Sequence, residues 1–293
     1  MNNIYAGIIS YNPDIDRLKD NISSVLKQVQ GLIVVDNASD NIDEIKRLLS
    51  EIDKESRIEL IVNNKNMGIG YALNQIMKNV HDKKTISWVL TLDQDTVVYD
   101  DIIKMYQLFL NSDNKNDDIV SLTCLRHDRN FVEKNANGNA KSPITEDFTE
   151  VKSCITSGNL ISVDAWKKIK GFNNSLFIDM VDDEFCYRLR EHNYKIIRIN
   201  KYGYMHELGD SVKKVRFLMN DKNVFIYSAK RKYYVARNCI YMMRRYKLGI
   251  INEYSRYLIK RIFATLLYEK NKIYEISAYI KGIKAGFKLK CTK

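Results

Sequence analysis

The sequence predicts an α/β fold, a mostly parallel sheet flanked by helices, followed by a basic helical extension. Three observations predict it. Over the first 95 residues, short apolar runs alternate with stretches of helical periodicity, the β-α-β-α-β-α-β pattern of a parallel sheet. The last of these runs, Ile86-Ser87-Trp88-Val89-Leu90-Thr91, closes on Leu92-Asp93-Gln94-Asp95. Finally, charge is split along the chain. Residues 211–293 hold 21 Lys/Arg against 4 Asp/Glu, a surplus of 17, whereas residues 1–210 hold 26 against 32, so the net charge is +11.

Each element has a local reason. Tyr5 to Ser10 is an apolar run that stops at the turn signal Tyr11-Asn12-Pro13-Asp14. Leu18, Ile22, Val25, Leu26 and Val29 then recur at helical spacing. Leu32 to Val35 reads as a second buried strand, ending at Asp36-Asn37-Ala38-Ser39, and Ile42 to Ile52 as a helix. Ile58 to Val62 is a third strand, residues 63–68 a loop, and Ile69 to Val80 a helix leading to the Asp93/Asp95 strand. Residues 127–150 are polar and Asn-rich, as in a surface excursion. Strand character returns over residues 151–163, ending near Thr156-Ser157-Gly158-Asn159, and a helix is expected over Asp164 to Ile169. Ile196–Ile199 and Tyr202–Met205 are strand-like, and from Val215 onward the pattern is helical. Apolar stripes at Tyr254, Leu258, Ile262 and Leu266, and at Ile273, Ile276, Ile280, Ile283 and Phe287, run beside Lys/Arg stripes. Such helices lie on a membrane surface or pack on their own core.

Composition narrows the class. A chain of 293 residues with 45% hydrophobic content buries one or two cores, and two prolines leave no Pro-rich linker. The domain division expected is 1–210 for the α/β body and 211–293 for the basic helical region. Five widely spaced cysteines without a C-x-x-C argue against a disulfide framework or a zinc site. Met1-Asn2-Asn3-Ile4-Tyr5 lacks the basic and apolar regions of a signal peptide, and no apolar stretch reaches membrane-spanning length. The expectation is a reduced, cytoplasmic protein. The basic C-terminal third points to a polyanion, either an anionic membrane or nucleic acid. No zinc finger or RNP-type aromatic motif accompanies it, so nucleic acid is the less favoured partner.

Right-handed crossovers bring the ends of successive parallel strands to one edge, where α/β sheets bind ligands. Asp36, the loop before Gly68, and Asp93/Asp95 fall there. Residues two apart on a strand share a side, so Asp93 and Asp95 present two hard oxygen ligands together. Such a pair suits Mg²⁺ or Mn²⁺ held jointly with phosphate oxygens, although a lone D-x-D also occurs in surface turns.

Four ordered blocks resemble a family 2 glycosyltransferase of the GT-A fold, with bacterial rhamnosyltransferases nearest. They are Ser10-Tyr11-Asn12 with Val34-Val35-Asp36-Asn37-Ala38-Ser39, and Asn66-Met67-Gly68-Ile69-Gly70-Tyr71-Ala72-Leu73-Asn74. Leu92-Asp93-Gln94-Asp95-Thr96 and Phe177-Ile178-Asp179-Met180-Val181-Asp182-Asp183-Glu184-Phe185-Cys186-Tyr187-Arg188 complete the set. The D-Q-D form and the later His206-Glu207-Leu208-Gly209-Asp210 favour rhamnosyl transfer.

The resemblance implies a metal-dependent inverting transferase that moves a sugar from a nucleoside diphosphate, dTDP-rhamnose first and a UDP-hexose as the alternative. Its acceptor would be a surface-polysaccharide precursor, lipid-linked at the inner face of the membrane. Asp36 would then bind the base, with Tyr11, Asn12, Asn66, Gly68 and Asn74 around the nucleotide. Asp95 is the first choice for the metal, Asp93 contacts ribose or metal, and His206 reaches the metal or diphosphate. Asp182 matches the second acid of the family's E-D-x-D-L-x-x-R pattern and would be the base, with Asp183 competing; Val181 departs from the first acid. Ser157, Gly158 and Asp179 are placed on the acceptor side, and Arg237 on a phosphate. Each of these polar residues also has a plain structural reading, as a helix cap, turn residue or surface ion pair.

Overall fold

The computed structural model describes residues 3–128, 147–206, 212–217 and 220–291. In chain order the first unit begins β1 (Ile4–Ser10), α1 (Ile15–Leu26), β2 (Gly31–Asp36), α2 (Ile42–Ile52), β3 (Ile58–Val62), α3 (Ile69–Asp82) and β4 (Trp88–Asp93). It continues β5 (Val97–Val98), α4 (Ile102–Leu110), β6 (Ile119–Asp128), β7 (Phe148–Val151), β8 (Asn159–Ser162), α5 (Val163–Lys168), α6 (Val181–Glu191) and β9 (Lys195–His206). A second unit follows with β10 (Val212–Phe217), β11 (Asn220–Phe225), α7 (Ala229–Arg245), α8 (Glu253–Tyr268) and α9 (Lys272–Lys288). By their contacts, residues 175–181 group with this second unit.

Nine strands form one sheet in the order β3-β2-β1-β4-β8-β6-β9-β5, with β7 also on β9. The run β3-β2-β1-β4 is parallel throughout, as the alternating apolar runs predict. β8 enters antiparallel to both β4 and β6, and β9 returns parallel to β6. Register sets Ser10 beside Asp36 and Ile9 beside Asp93, so three polar strand ends meet at the C-terminal edge. Below that edge one face of β1, β2 and β4 is closed by α1 and α4. Ile8, Leu18, Ile22, Leu90, Ile102 and Tyr106 are all buried there. Burial of this kind is worth roughly 1.5–3 kcal/mol per large aliphatic side chain.

Two expectations are corrected. The strand expected over residues 151–163 forms later, at β8, and Thr156-Ser157-Gly158 is the turn before it. The reason is tertiary: the Thr91 hydroxyl donates to the carbonyls of Thr156 (2.6 Å) and Asn159 (3.1 Å), pinning that turn against β4. The helix expected from Val215 begins at Ala229, because β10 and β11 pair antiparallel before it, from Val212↔Phe225 to Phe217↔Asn220. Of the polar excursion expected over 127–150, residues 129–146 lie outside the described residues, as do Glu207 to Asp210.

In the second unit, Ser228 caps α7 and a capping box of Asn252 and Ser255 starts α8. Lys232 is fully buried and paired with Glu275 (2.7 Å) and Glu269, which ties the three helices together. The expected stripes do not face inward as whole stripes. α8 buries Tyr254 and Leu258 but also Arg261 and Thr265, and leaves Leu266 exposed. α9 buries Ala278, Tyr279, Gly282 and Gly286, and leaves Ile273, Ile280 and Phe287 exposed. Small residues win on α9 because a side chain at Gly282 would collide with the Tyr233 carbonyl of α7.

Candidate active site

The edge formed by β1, β2 and β4 carries a polar network built on Asp36 and Asp93. β4 ends at Asp93, whose carbonyl accepts from Asn21 Nδ2 (2.7 Å) and from the Thr96 amide (3.2 Å). That turn brings Asp95 back beside Asp93. β9 ends at His206, and its imidazole lies between the two carboxylates. Nδ1 is 3.3 Å from Asp95 Oδ1, and Nε2 is 3.9 Å from Asp93 Oδ2. Burial pulls the His206 pKa down, but the hydrogen bond with Asp95 and the charges of Asp93 and Asp95 outweigh it, so the net shift is upward.

Among the described residues, no three His, Cys, Asp or Glu side chains are arranged to hold a metal ion by themselves. The structure brings Asp93, Asp95 and His206 together at this edge, with the imidazole beside both carboxylates. The donor set is nonetheless suited to an ion that takes only one or two carboxylates from protein and the rest of its oxygens from substrate phosphates and water.

Ser157 lies beneath these acids. It is fully buried, and its hydroxyl accepts from the Asp93 amide (2.8 Å) and bonds the Thr96 hydroxyl (2.8 Å). Gly158 turns with φ of +73°, and a side chain there would strike the Tyr204 ring. Both are buried rather than on an open acceptor surface; Ser157 supports the Asp93 turn, and the Gly158 amide donates to the Thr91 carbonyl (2.9 Å).

Asp36 is also fully buried. Oδ1 accepts from Ser10 Oγ (3.0 Å) and Ser39 Oγ (2.5 Å), and Oδ2 from the Ser39 amide (2.9 Å). A base N3–H would have to meet Oδ2, which has the spare lone pair. Asn12, with φ of +46°, accepts from the Asp40 amide (2.7 Å) and donates its own amide to Ser39 Oγ (2.8 Å). Tyr11 is exposed at the edge, its amide donating to Gln94 Oε1 (2.7 Å).

Gly68, with φ of +86°, leads into α3 without a side-chain cap, and its amide donates to Asn66 Oδ1 (3.0 Å). The α3 N-terminus therefore keeps free backbone amides, a natural place for an anion. A network missed in the sequence stiffens this loop: Asn63 Nδ2 donates to Asn37 Oδ1 (3.0 Å) and to Gln75 Oε1 (2.9 Å). Asn74 faces elsewhere. Its Nδ2 donates to the Phe172 carbonyl (2.8 Å) and Asn174 Oδ1 (2.7 Å), while Oδ1 accepts from Trp166 Nε1 and the Phe172 amide (both 2.8 Å). With four bonds made, it has nothing left for a nucleotide.

Asp182 and Asp183 open α6, where carboxylates are favoured by the helix dipole. Asp182 Oδ1 accepts from the Asp183 amide (3.0 Å). Desolvation, then the charges of Asp183 and Asp93, push the Asp182 carboxyl up to about 7. In the same turn, buried Glu184 holds Arg188, one turn on, at 2.8 Å, and Arg188 also donates to the Ile169 carbonyl (2.6 Å). The acid–x-x-x-Arg spacing was visible, but not that it forms this brace.

Asp179 and Arg237 belong to the second unit. Asp179 and Met180 both have positive φ (63° and 62°), and the Asp179 carboxylate pairs with Arg231 through both oxygens (3.0 and 3.2 Å). Arg237 donates to the Ser175 carbonyl (2.6 Å) and to Asn238 Oδ1 (2.9 Å) and lies over the Tyr234 ring. These bonds fix the guanidinium within the second unit. A different arginine stands near the acidic edge. Arg126 on β6 pairs with Tyr204 on β9, one alternation before Asp128 pairs with His206, so it shares the sheet face of His206. Among the described residues it makes no hydrogen bond or ion pair, and its charge is felt by His206.

Comparison with known proteins identifies the family. The sequence model of Glycosyl transferase family 2 matches residues 5–177. The dTDP-rhamnosyl transferase RfbF of Shigella flexneri is 27% identical over 301 residues, covering 98% of this chain and 96% of that protein. The crystal structure of S. aureus TarS 1-349 in complex with UDP shares 13% identity and superposes with a TM-score of 0.54 over 96% of this chain and 81% of that one. GalNAc-T7, crystallised with UDP, GalNAc and Mn²⁺, shares 12% identity with a TM-score of 0.59 over 98% of this chain and 56% of its own. At such identities the two structures speak to the fold alone, which is of the GT-A kind.

Proposed function

The chain belongs to glycosyl transferase family 2, and on that premise we propose that this glycosyltransferase moves L-rhamnose from dTDP-rhamnose onto a lipid-linked precursor of a surface polysaccharide, with inversion. The observation that carries the reading is the His206 imidazole set between Asp93 and Asp95 at the sheet edge. The near full-length likeness to a dTDP-rhamnosyl transferase supports the choice of donor.

The nucleotide would lie along the edge, its base toward Asp36 and Tyr11 and its phosphates toward the Gly68 turn. Asp95, with Asp93 beside it, would hold a Mg²⁺ or Mn²⁺ ion that neutralises charge on the leaving diphosphate. His206 lies beside the same carboxylates and would reach the metal or the diphosphate, and Arg126 offers a fork of donors to a phosphate oxygen. Asp182, half-buried and raised toward neutrality, takes the proton from the acceptor hydroxyl as that oxygen attacks the anomeric carbon. One base and direct displacement give inversion. Asp183 is the competing base. The enzyme would work at the inner face of the cell membrane, where such acceptors are presented.

Donor consumption over a panel of dTDP-rhamnose and UDP-hexoses, with Mn²⁺ or Mg²⁺, tests the reading. The expected result is release of dTDP alone; release of UDP alone would move the donor to a UDP-hexose.

A further inference from the structure

From the second unit we infer that the exposed face of α8 is a docking surface for an anionic lipid bilayer. Helices of soluble proteins turn their apolar stripe inward. α8 turns a large part of its own outward: Ile259, Phe263 and Leu267, spaced four apart, are each more than half exposed, while Arg261 and Thr265 are buried. The spacing puts the three on one face. Apolar side chains are also exposed before and after the helix. Ile250 and Ile251, in the turn before α8, are 88% and 84% exposed, and Ile273 just after it is 90% exposed. At 1.5 Å per residue, Ile259 to Leu267 covers about 12 Å, half the length of the 16-residue helix.

Charge selects the occupant. Arg256, Lys260 and Lys270 are exposed along the same helix and its end, within the region that carries the chain's basic surplus. Two copies meeting face to face through a two-fold contact would set these cations against themselves. An anionic bilayer satisfies both components, taking the apolar side chains below its headgroups while the lysines reach out to phosphate. Among the described residues no helix is long and apolar enough to cross a membrane, so the contact is one of lying on the surface. Such a face would serve the lipid-linked acceptor proposed above. Vesicle binding is read without any nucleotide sugar, so the two proposals fail separately.

The test is co-sedimentation of the full chain with vesicles of phosphatidylcholine, alone or mixed with phosphatidylglycerol. The wild type is expected to pellet with the mixed vesicles, less so as salt rises, and to stay in solution with phosphatidylcholine alone. Phe263→Asp/Leu267→Asp, at exposed positions, is expected to lower binding at least tenfold with an unchanged melting temperature. Lys260→Glu/Lys270→Glu is expected to remove the preference for phosphatidylglycerol. The inference is overturned if the wild type ignores both vesicles, or if both double variants bind as it does. It is overturned equally if light scattering shows a wild-type dimer that Phe263→Asp/Leu267→Asp converts to monomer, since a second copy would then cover the face.

Discussion

His206 Nδ1 lies 3.3 Å from Asp95 Oδ1, and its Nε2 lies 3.9 Å from Asp93 Oδ2, so one imidazole answers two carboxylates that would otherwise repel. The shift of its pKa is upward, which fixes a pH dependence. A group whose folded pKa is raised contributes stability below its unfolded pKa and loses it as pH rises through the folded value. In metal-free protein, His206→Gln should therefore lower the melting temperature most below the ordinary histidine pKa of about 6.5, with the difference shrinking as pH rises through the raised value. Thermal melts of both proteins across that range check this; a difference independent of pH would refute it.

Asp182 carries the opposite kind of consequence. As a base it must be ionised, so kcat/KM should fall about tenfold per pH unit below its pKa of about 7 and level off above it. Asp182→Asn should abolish transfer. The same change removes a charge that burial disfavours, so the variant should melt higher than wild type. That gain should open between pH 4 and pH 7 and stay flat beyond. A more active, less stable Asp182→Asn would contradict both halves.

Ser157 should matter without touching substrate. Ser157→Ala leaves the Asp93 amide without its buried acceptor, a loss of about 1–3 kcal/mol. Denaturant unfolding should show this cost, and Ser157→Thr, if it fits, should recover part of it. Full stability in the alanine variant would mean the Asp93 turn is held by other bonds.

How far this site was legible in the sequence depends on where each partner lies. Asp93, Asp95 and Asp36 sit at the ends of apolar runs, and the parallel alternation alone predicts a shared edge for them. Asn74 looked equally well placed, one turn into a helix beside a glycine loop. Its partners, however, are Phe172 and Asn174, about a hundred residues away, and no local pattern reveals them. Ser157 was found, but as a lining residue; its burial follows from β8 inserting antiparallel beside β4, which strand periodicity does not encode. Arg126 was missed because its neighbour in the sheet, Tyr204, is 78 positions on. The amphipathic helices were visible, but which stripe is buried was decided by the close approach of α7 and α9 and by the Lys232 ion pairs.

Arg126 gives a prediction that separates phosphate from base. Arg126→Ala should weaken dTDP by roughly tenfold or more, the worth of one charge-assisted bond, and leave thymidine binding unchanged. Arg126→Lys should recover part of the loss. Equal affinity of wild type and Arg126→Ala for dTDP would remove Arg126 from the site.

The most direct measurement is a calorimetric titration of the full chain with dTDP, with and without Mn²⁺, for wild type and Asp95→Ala. The account predicts that Mn²⁺ strengthens dTDP binding to the wild type by tenfold or more, and that Asp95→Ala loses this dependence. Binding that ignores Mn²⁺, or that survives intact in Asp95→Ala, would contradict a diphosphate site built on Asp93, Asp95 and His206.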